Sequence, residues 1–291
     1  MFVFKAAVVG AGTMGGEIAQ VIASAGVPVV LKDVEQKLVD VGLDKAREVT
    51  RNQLGALVSK EKISQEDSER QLGEISGRIS GTTEYEGFGD VDFVIEAVPE
   101  RMEIKQAVFA KLDAVTPGHA VLASNTSALP VTEIAEATAR PDKVCGFHFF
   151  YPASMMRLVE VIEGDETSDE TLQAAASFAQ AIRKTAIRCG EVPGFVVNRI
   201  LMSAVSEVWR TTEDEDLDVE EVDRAIKDSG TVPMGPFFLT DLLGLDTVLH
   251  VAEHLHDSYG DRFHVSSQLK ELVEAGHLGQ KTGKGFYEHG D

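Results

Sequence analysis

The stretch "FKAAVVGAGTMGGEIAQVIASAGVPVVLKD", residues 4–33, constrains the fold more than any other part of the chain. A short apolar, β-rich run meets Gly10, Gly12 and Gly15, continues as an Ala- and Ile-rich helical pattern, and ends in a second apolar run closed by Asp33. In a strand, turn and helix of this kind each glycine has a task. Gly10 makes the tight turn, Gly12 admits a pyrophosphate to the backbone, and Gly15 lets the helix pack on the strand. Thr13 and Met14 open the helix, where backbone N–H groups attract phosphate. Asp33 stands 23 positions after Gly10, near the offset of about 20 for an acid that hydrogen-bonds ribose hydroxyls. The segment predicts a Rossmann-type dinucleotide site. An acid at that place favours NAD by repelling a 2′-phosphate, while neighbouring Lys32 keeps NADP open.

The remainder continues in the same style as far as residue 190. "DVDFVIEAVPE", a helix at about 102–114, "HAVLASNTSALP", a helix at 131–138, "KVCGFHFFYP" and "LVEVIEG" alternate strand and helix, which implies a mainly parallel sheet covered on both faces. Ligands of such sheets gather at the carboxyl ends of the strands. Glu100, Ser124 to Ser127 and His148 all end or follow predicted strands and are expected there. Between Asp33 and the strand at 91–98 the chain is longer than one crossover helix requires. Residues 37–75 carry helix-like apolar spacing (Leu43, Ala46, Leu54, Leu57, Val58) amid dense charge and read as a helical arm, with a solvated surface hairpin as the alternative. After "GEVPG" the character changes to long helical runs. The expected architecture is an α/β Rossmann domain at 1–190 with its arm, followed by an all-α domain at 191–291.

Composition excludes several classes. With 27 basic against 48 acidic residues in 291, the formal charge is −21, which repels nucleic acid and anionic membrane surfaces. No segment approaches the roughly 18 uncharged apolar residues of a membrane span, and the N-terminal run lacks the pattern of a signal peptide. Cys145 and Cys189 have neither CxxC nor zinc-ligand spacing and read as reduced thiols of a cytoplasmic protein. His250 and His254 are at i and i+4 with His256 near, but without the HExxH order they read as surface histidines, and no metal is expected. Met155 and Met156 read as pocket or core packing.

One histidine and one glutamate stand among apolar neighbours in "GFHFFYPASMMRLVEVIEG", residues 146–164. A turn at "YPAS" folds "LVEVIE" back beside "GFHFF", and strand alternation puts Leu158, Glu160 and Ile162 on one face and Val159 and Val161 on the other. Taken alone, His148 and Glu160 fit either a deliberate pair or solvent-facing strand residues.

With "GAGTMG", "VIEAVPE", "ASNTSAL", "GFHFFYP", "LVEVIEG", "PGFVVNRI", "VPMGPFFLTDLLGLD" and "GQKTGKGFYEHG" in this order, the sequence resembles the short-chain L-3-hydroxyacyl-CoA dehydrogenase family over essentially its whole length. The resemblance implies NAD-dependent interconversion of (S)-3-hydroxyacyl-CoA and 3-oxoacyl-CoA in fatty-acid metabolism or a related pathway. It also implies an acyl-CoA substrate and a homodimer formed through the C-terminal domain. It makes His148 the catalytic base, Glu160 the carboxylate that orients it, and Ser127 and Asn198 the substrate-positioning donors. Read from residue type alone, the last two also fit an N-cap and a helix-surface amide. Glu100, Lys105 and Lys281 correspond to cofactor-binding positions. Two departures stand out. Tyr151 replaces an asparagine, and Gly55 and Ala56 occupy arm positions where relatives carry groups for the CoA phosphates, leaving Arg51, Lys60 and Lys62 as substitutes. A dehydrogenase of a free hydroxy acid, of the lambda-crystallin type, and a non-catalytic NAD-binding protein are the rival readings.

Overall fold

The computed structural model describes residues 2–290 and divides into two compact units, Met1–Glu191 and Val192–Asp291. The first unit opens with β1 (Ala6–Val9), α1 (Thr13–Ser24), β2 (Val29–Lys32), α2 (Gln36–Ser59), α3 (Gln65–Ser76) and β3 (Ile79–Thr82). It continues with β4 (Phe93–Glu96), α4 (Met102–Val115), β5 (Val121–Ser124), α5 (Val131–Ala135), β6 (Val144–Phe149), β7 (Leu158–Glu163), α6 (Asp169–Ala181) and β8 (Thr185–Gly190). The strands form an eight-stranded sheet in the order β3-β2-β1-β4-β5-β6-β7-β8. All neighbours pair in parallel except β6 with β7.

Central strands β1, β2, β4, β5 and β6 are buried along their whole length, as required of strands covered on both faces. Their continuous apolar runs are what made them visible in the sequence. The two edge strands are different. β3 reads "ISGT" and β8 "TAIRCG", both only partly buried, because an edge strand packs and pairs on one side only; neither emerged from the sequence pattern. Helix α5 ends at Ala135 rather than at 138, since Ala137 and Thr138 already donate to carbonyls three residues back.

On one face of the sheet, α1 and α6 share a core with Phe93, Phe147, Phe149 and Phe178. Phe178 of α6 lies 4.5 Å from Phe93 and 6.2 Å from Phe147, centroid to centroid. Each fully buried phenyl contributes roughly 1.5–3 kcal/mol, so β6 is pinned to the sheet by the residues that alternate with His148. The arm is the helix pair α2 and α3, where Ser64 caps α3 by accepting from the Asp67 N–H.

The second unit contains α7 (Val197–Asp214), α8 (Val219–Asp228), α9 (Pro236–Leu243), α10 (Leu245–Tyr259) and α11 (Ser267–Glu274) around Trp209, Phe237 and Phe263. Two buried carboxylates anchor its C-terminal segment. Asp241 accepts from the Phe286 and Tyr287 N–H groups and from His289 Nε2, and Asp223 accepts from the Phe237 and Phe238 N–H groups and the Tyr287 hydroxyl. Among the described residues, no helix is long and apolar enough to cross a membrane, and no three His, Cys, Asp or Glu side chains converge as a metal site.

Candidate active site

The glycine turn after β1 is shaped by two steric requirements. Gly10 adopts φ +102°, open to glycine and strained for other residues, and a Cβ on Gly15 would lie 1.7 Å from the Gly10 carbonyl oxygen. Gly12 differs, since a Cβ there would meet nothing within 4 Å. The space beside it is open, and α1 has no side chain capping its N-terminus. Uncapped N–H groups at Thr13 and Met14 facing open space are the donor set a pyrophosphate requires, so this chain's residues fit the dinucleotide. Asp33 closes the turn from below, accepting from the Ala11 N–H at 2.6 Å and from the Val34 N–H at 2.6 Å. Lys32 is buried, with its ammonium 4.6 Å from the centre of the Tyr85 ring.

At the far side of the same strand ends, β6 and β7 pair antiparallel with His148 directly opposite Glu160. Phe147 and Phe149 alternate with the histidine and Val159 and Val161 with the glutamate, all buried in the core. The apolar residues therefore fix the register, and the register delivers the polar pair to one face. His148 is 4% exposed and Glu160 fully buried. Their Nδ1 and Oε2 atoms are 2.8 Å apart. A carboxylate only accepts, so neutral His148 carries its proton on Nδ1 and presents a lone pair at Nε2. Nε2 lies 3.1 Å from the Ser127 hydroxyl, which donates to it. The solvent-facing alternative for these strand residues is excluded.

Ser127 belongs to a loop after β5 that is tied down at almost every residue. Asn125 Oδ1 accepts from the Phe149 N–H at 2.9 Å, locking the loop to β6. The Thr126 hydroxyl donates to Glu100 at 2.5 Å, and the Ser127 N–H donates to the same oxygen at 2.9 Å. Burial raises the pKa of Glu100, but the Lys105 ammonium, the Thr126 hydroxyl and the Ser127 N–H outweigh it and hold the carboxyl below its ordinary range. Lys105 and Glu96 lie behind Glu100, both buried. Glu96 was not singled out from the sequence, and Asn125 and Thr126 were expected at the strand ends only as part of the stretch Ser124 to Ser127, with no role of their own. Their only signal was position, at the end of a strand or inside "SNTSAL".

The β6–β7 connection is also held from below. Glu17 of α1, 2% exposed, accepts from the Ser154 N–H at 3.1 Å, and Lys184 donates to the Ala153 and Met156 carbonyls at 2.6 and 2.7 Å. Burial lowers the Lys184 pKa despite the nearby Glu17 carboxylate. Tyr151, Met155 and Met156 stand out from this turn with 51%, 75% and 43% exposure, so the two methionines are not core residues. The turn is held by its backbone, and Met155 lines a surface pocket with Gln20, Gln53 and Lys184.

The remaining expected site residues lie on the arm and in the second unit. Arg51 lies in α2, while Lys60 and Lys62 lie just beyond it, all exposed. Asn198 sits in the first turn of α7 in the second unit. Lys281, also in the second unit, forms an ion pair with Asp246. Lys284 lies 3.7 Å from Glu288, which separates the two terminal lysines by partner. His256 Nδ1 donates to the Phe263 carbonyl at 2.9 Å.

Comparison with known proteins gives the same reading from outside. Residues 5–192 match the model of the 3-hydroxyacyl-CoA dehydrogenase NAD-binding domain, and residues 194–289 match the C-terminal domain of that family. A 3-hydroxybutyryl-CoA dehydrogenase of Clostridioides difficile is 42% identical over 286 residues, covering 98% of this chain and 99% of that protein. The crystal structure of (S)-3-hydroxybutyryl-CoA dehydrogenase from Ralstonia eutropha is similar with a TM-score of 0.90 at 35% identity, all of both chains being covered. That of the Escherichia coli 3-hydroxybutyryl-CoA dehydrogenase has a TM-score of 0.88 at 37% identity over 99% of this chain and 60% of that one. A dinucleotide turn built for pyrophosphate, and two family domains that together account for nearly every residue, lead to one conclusion: this chain belongs to the 3-hydroxyacyl-CoA dehydrogenase family and is an NAD-dependent dehydrogenase.

Proposed function

We propose that the protein interconverts a short-chain (S)-3-hydroxyacyl-CoA, such as 3-hydroxybutyryl-CoA, and the corresponding 3-oxoacyl-CoA, with His148 as the proton-transferring base and acid. The observation that carries this reading is the line Glu160, His148, Ser127, with contacts of 2.8 and 3.1 Å. Bound NAD supplies the acceptor, or in its reduced form the donor, of the hydride at C3. Every other part of the reaction is assigned to side chains of this chain.

In the oxidative direction, His148 Nε2 takes the hydroxyl proton as the C3–O bond gains carbonyl character, so no free alkoxide forms. Glu160 keeps the proton on Nδ1, orients the ring and stabilises the imidazolium that results. Ser127 holds the reacting oxygen by a hydrogen bond, displacing its hydroxyl from Nε2 as substrate enters. Asn198 contributes an amide donor to the substrate by analogy with the family. Asp33 binds the adenosine ribose, and Arg51, Lys60 and Lys62 receive the CoA phosphates. The exposed Phe238, Leu242 and Leu243 of α9 form part of the surface through which two copies pair, as a cytoplasmic homodimer.

The deciding experiment is the initial rate of NADH oxidation with acetoacetyl-CoA, beside free acetoacetate and beside NADPH in place of NADH. Turnover of the CoA ester with NADH, at least tenfold faster than either alternative, is the expected result. Activity on free acetoacetate alone transfers the assignment to a hydroxy-acid dehydrogenase. Absence of turnover on both, with NADH still bound, leaves a dinucleotide-binding protein without this chemistry.

A further inference from the structure

The turn between β6 and β7, the C-terminal halves of α1 and α2, and the link from α6 to β8 enclose a pocket of about 250 Å³ to which the reaction assigns nothing. Arg157, Arg183 and Lys184 line it together with Gln20, Ser24 and Gln53, and among the described residues no carboxylate does. In a chain with 48 acidic against 27 basic residues, three cations without an acid reverse the local sign. Glu17 lies behind the turn, engaged with the Ser154 N–H, and offsets one of the three charges. Lys184 uses two of its N–H groups on the Ala153 and Met156 carbonyls and keeps a third. The Ser24 hydroxyl accepts from Gln20 Nε2 at 2.9 Å and retains its own proton to donate.

Arg183 is held at this pocket against backbone preference. After α6 the Arg183 N–H donates to the Gln180 carbonyl at 3.0 Å and the Lys184 N–H to the Ala179 carbonyl at 2.8 Å, the two bonds that close a helix through a left-handed residue. Arg183 is that residue, at φ +62°. Glycine is the usual occupant, because a Cβ is strained there. Among the described residues the Arg183 guanidinium makes neither a hydrogen bond nor an ion pair, so it does not cap the helix whose end it strains. Strain kept without a local return marks a functional position.

We propose that this pocket binds a phosphoryl group, with Arg157 and Arg183 as paired guanidinium forks and Lys184 as the buried charge between pocket and turn. Exposed guanidiniums alone would say little; the strained backbone and the 8% exposed Lys184 carry the assignment. Guanidinium forks match the oxygens of a phosphoryl group two at a time. Three cations less Glu17 leave two positive charges, the complement of a phosphoryl group carrying about −1.5 to −2. The site does not rest on the roles given to His148 and Ser127.

The test is hydrogen exchange on NADH-saturated protein, in which the dinucleotide turn is filled and cannot take phosphate. Inorganic phosphate should slow exchange in residues 151–157 and 180–186 by about threefold or more, saturably, where chloride at equal ionic strength does not. Arg157→Gln, at an exposed position, should lose the effect. Arg183→Gly should lose it too, while its melting temperature without phosphate equals or exceeds that of wild type, because glycine suits φ +62°. That combination separates a lost ligand contact from a damaged fold. CoA added in place of phosphate distinguishes the sources of the group. Slowed exchange in both segments, again lost in Arg183→Gly, makes the phosphoryl group one of CoA's own. No effect of CoA there, with the phosphate effect persisting in its presence, makes it a separate ligand's; the site stands in either case.

Exchange in the wild type that phosphate leaves unchanged would overturn the proposal. So would slowing of equal size in both variants, since phosphate is then held elsewhere. A lower melting temperature in Arg183→Gly with the phosphate response intact would make Arg183 a cation that serves the negative end of α6 and nothing more.

Discussion

The β6–β7 pair and the α2–α3 arm both carry ionisable residues singled out for function, and they hold them in opposite ways. In β6 and β7 the ionisable pair is buried, opposite in register and 2.8 Å apart. On the arm, Arg51, Lys60 and Lys62 are exposed. A buried polar group must have partners, so its position is overdetermined and its contacts can be read from the folded chain. An exposed cation is satisfied by water wherever it points, so geometry says little about what it binds. The assignments differ in kind for that reason: His148 rests on contacts, and the arm cations rest on charge and place.

Five measurements test the contrast between the buried pair and the exposed arm. His148→Gln should lower kcat by about a thousandfold, the scale of general acid and base catalysis, while NADH binding stays within twofold; loss of coenzyme binding would remove the distinction between the pair and its surroundings. Glu160→Gln should lower kcat by about a hundredfold, because an amide keeps the hydrogen bond but stabilises an imidazolium poorly. If the melting temperature collapses instead, the pair is structural first. Asp33→Ala should weaken NADH by about tenfold, the order of one charge-assisted hydrogen bond, and narrow the preference over NADPH. Equal effects on both coenzymes would assign Asp33 to the Ala11 turn alone. Reversing the charges at Arg51, Lys60 and Lys62 should raise the KM for acetoacetyl-CoA about fivefold at low ionic strength, an effect that added salt erases, as for other exposed charges. No change would remove the arm from CoA binding. The smallest effect concerns Cys145 in β6, whose thiol burial pushes up to about 12. In native protein at pH 8 a thiol reagent should leave it unlabelled, and labelling would mean that β6 opens far more readily than its packing implies.

What was legible in the sequence follows the same division. Alternation alone left His148 and Glu160 open between a pair and two solvent-facing residues, and only the family resemblance chose the pair, whereas the glycine turn and the central strands were readable because periodicity and burial act over a few residues. Strands β3 and β8 were not, since edges carry no apolar run. Lys105 opens α4 in "MEIKQ" and looks like any helix-surface lysine, and Glu96 looks like a strand end; only folding brings them to 2.8 Å. Glu17 and Ser154 are 137 positions apart, a separation at which no local pattern leaves a trace. The methionines at 155 and 156 were read as pocket or core: their exposure excludes the core, because the turn that carries them buries its backbone, while Met155 does line a surface pocket with Gln20, Gln53 and Lys184.

That turn limits what can be transplanted. Exchanging residues 151–157 for the corresponding stretch of a relative, as one would to import a different substrate range, leaves Glu17 and Lys184 behind in α1 and beyond α6. Unless the incoming backbone offers an N–H and two carbonyls at the places of Ser154, Ala153 and Met156, a buried carboxylate and a buried ammonium lose their partners at once. The graft is therefore a three-segment module, and a chimera designed from the loop alone should fail in the sheet's supports before its specificity can be measured.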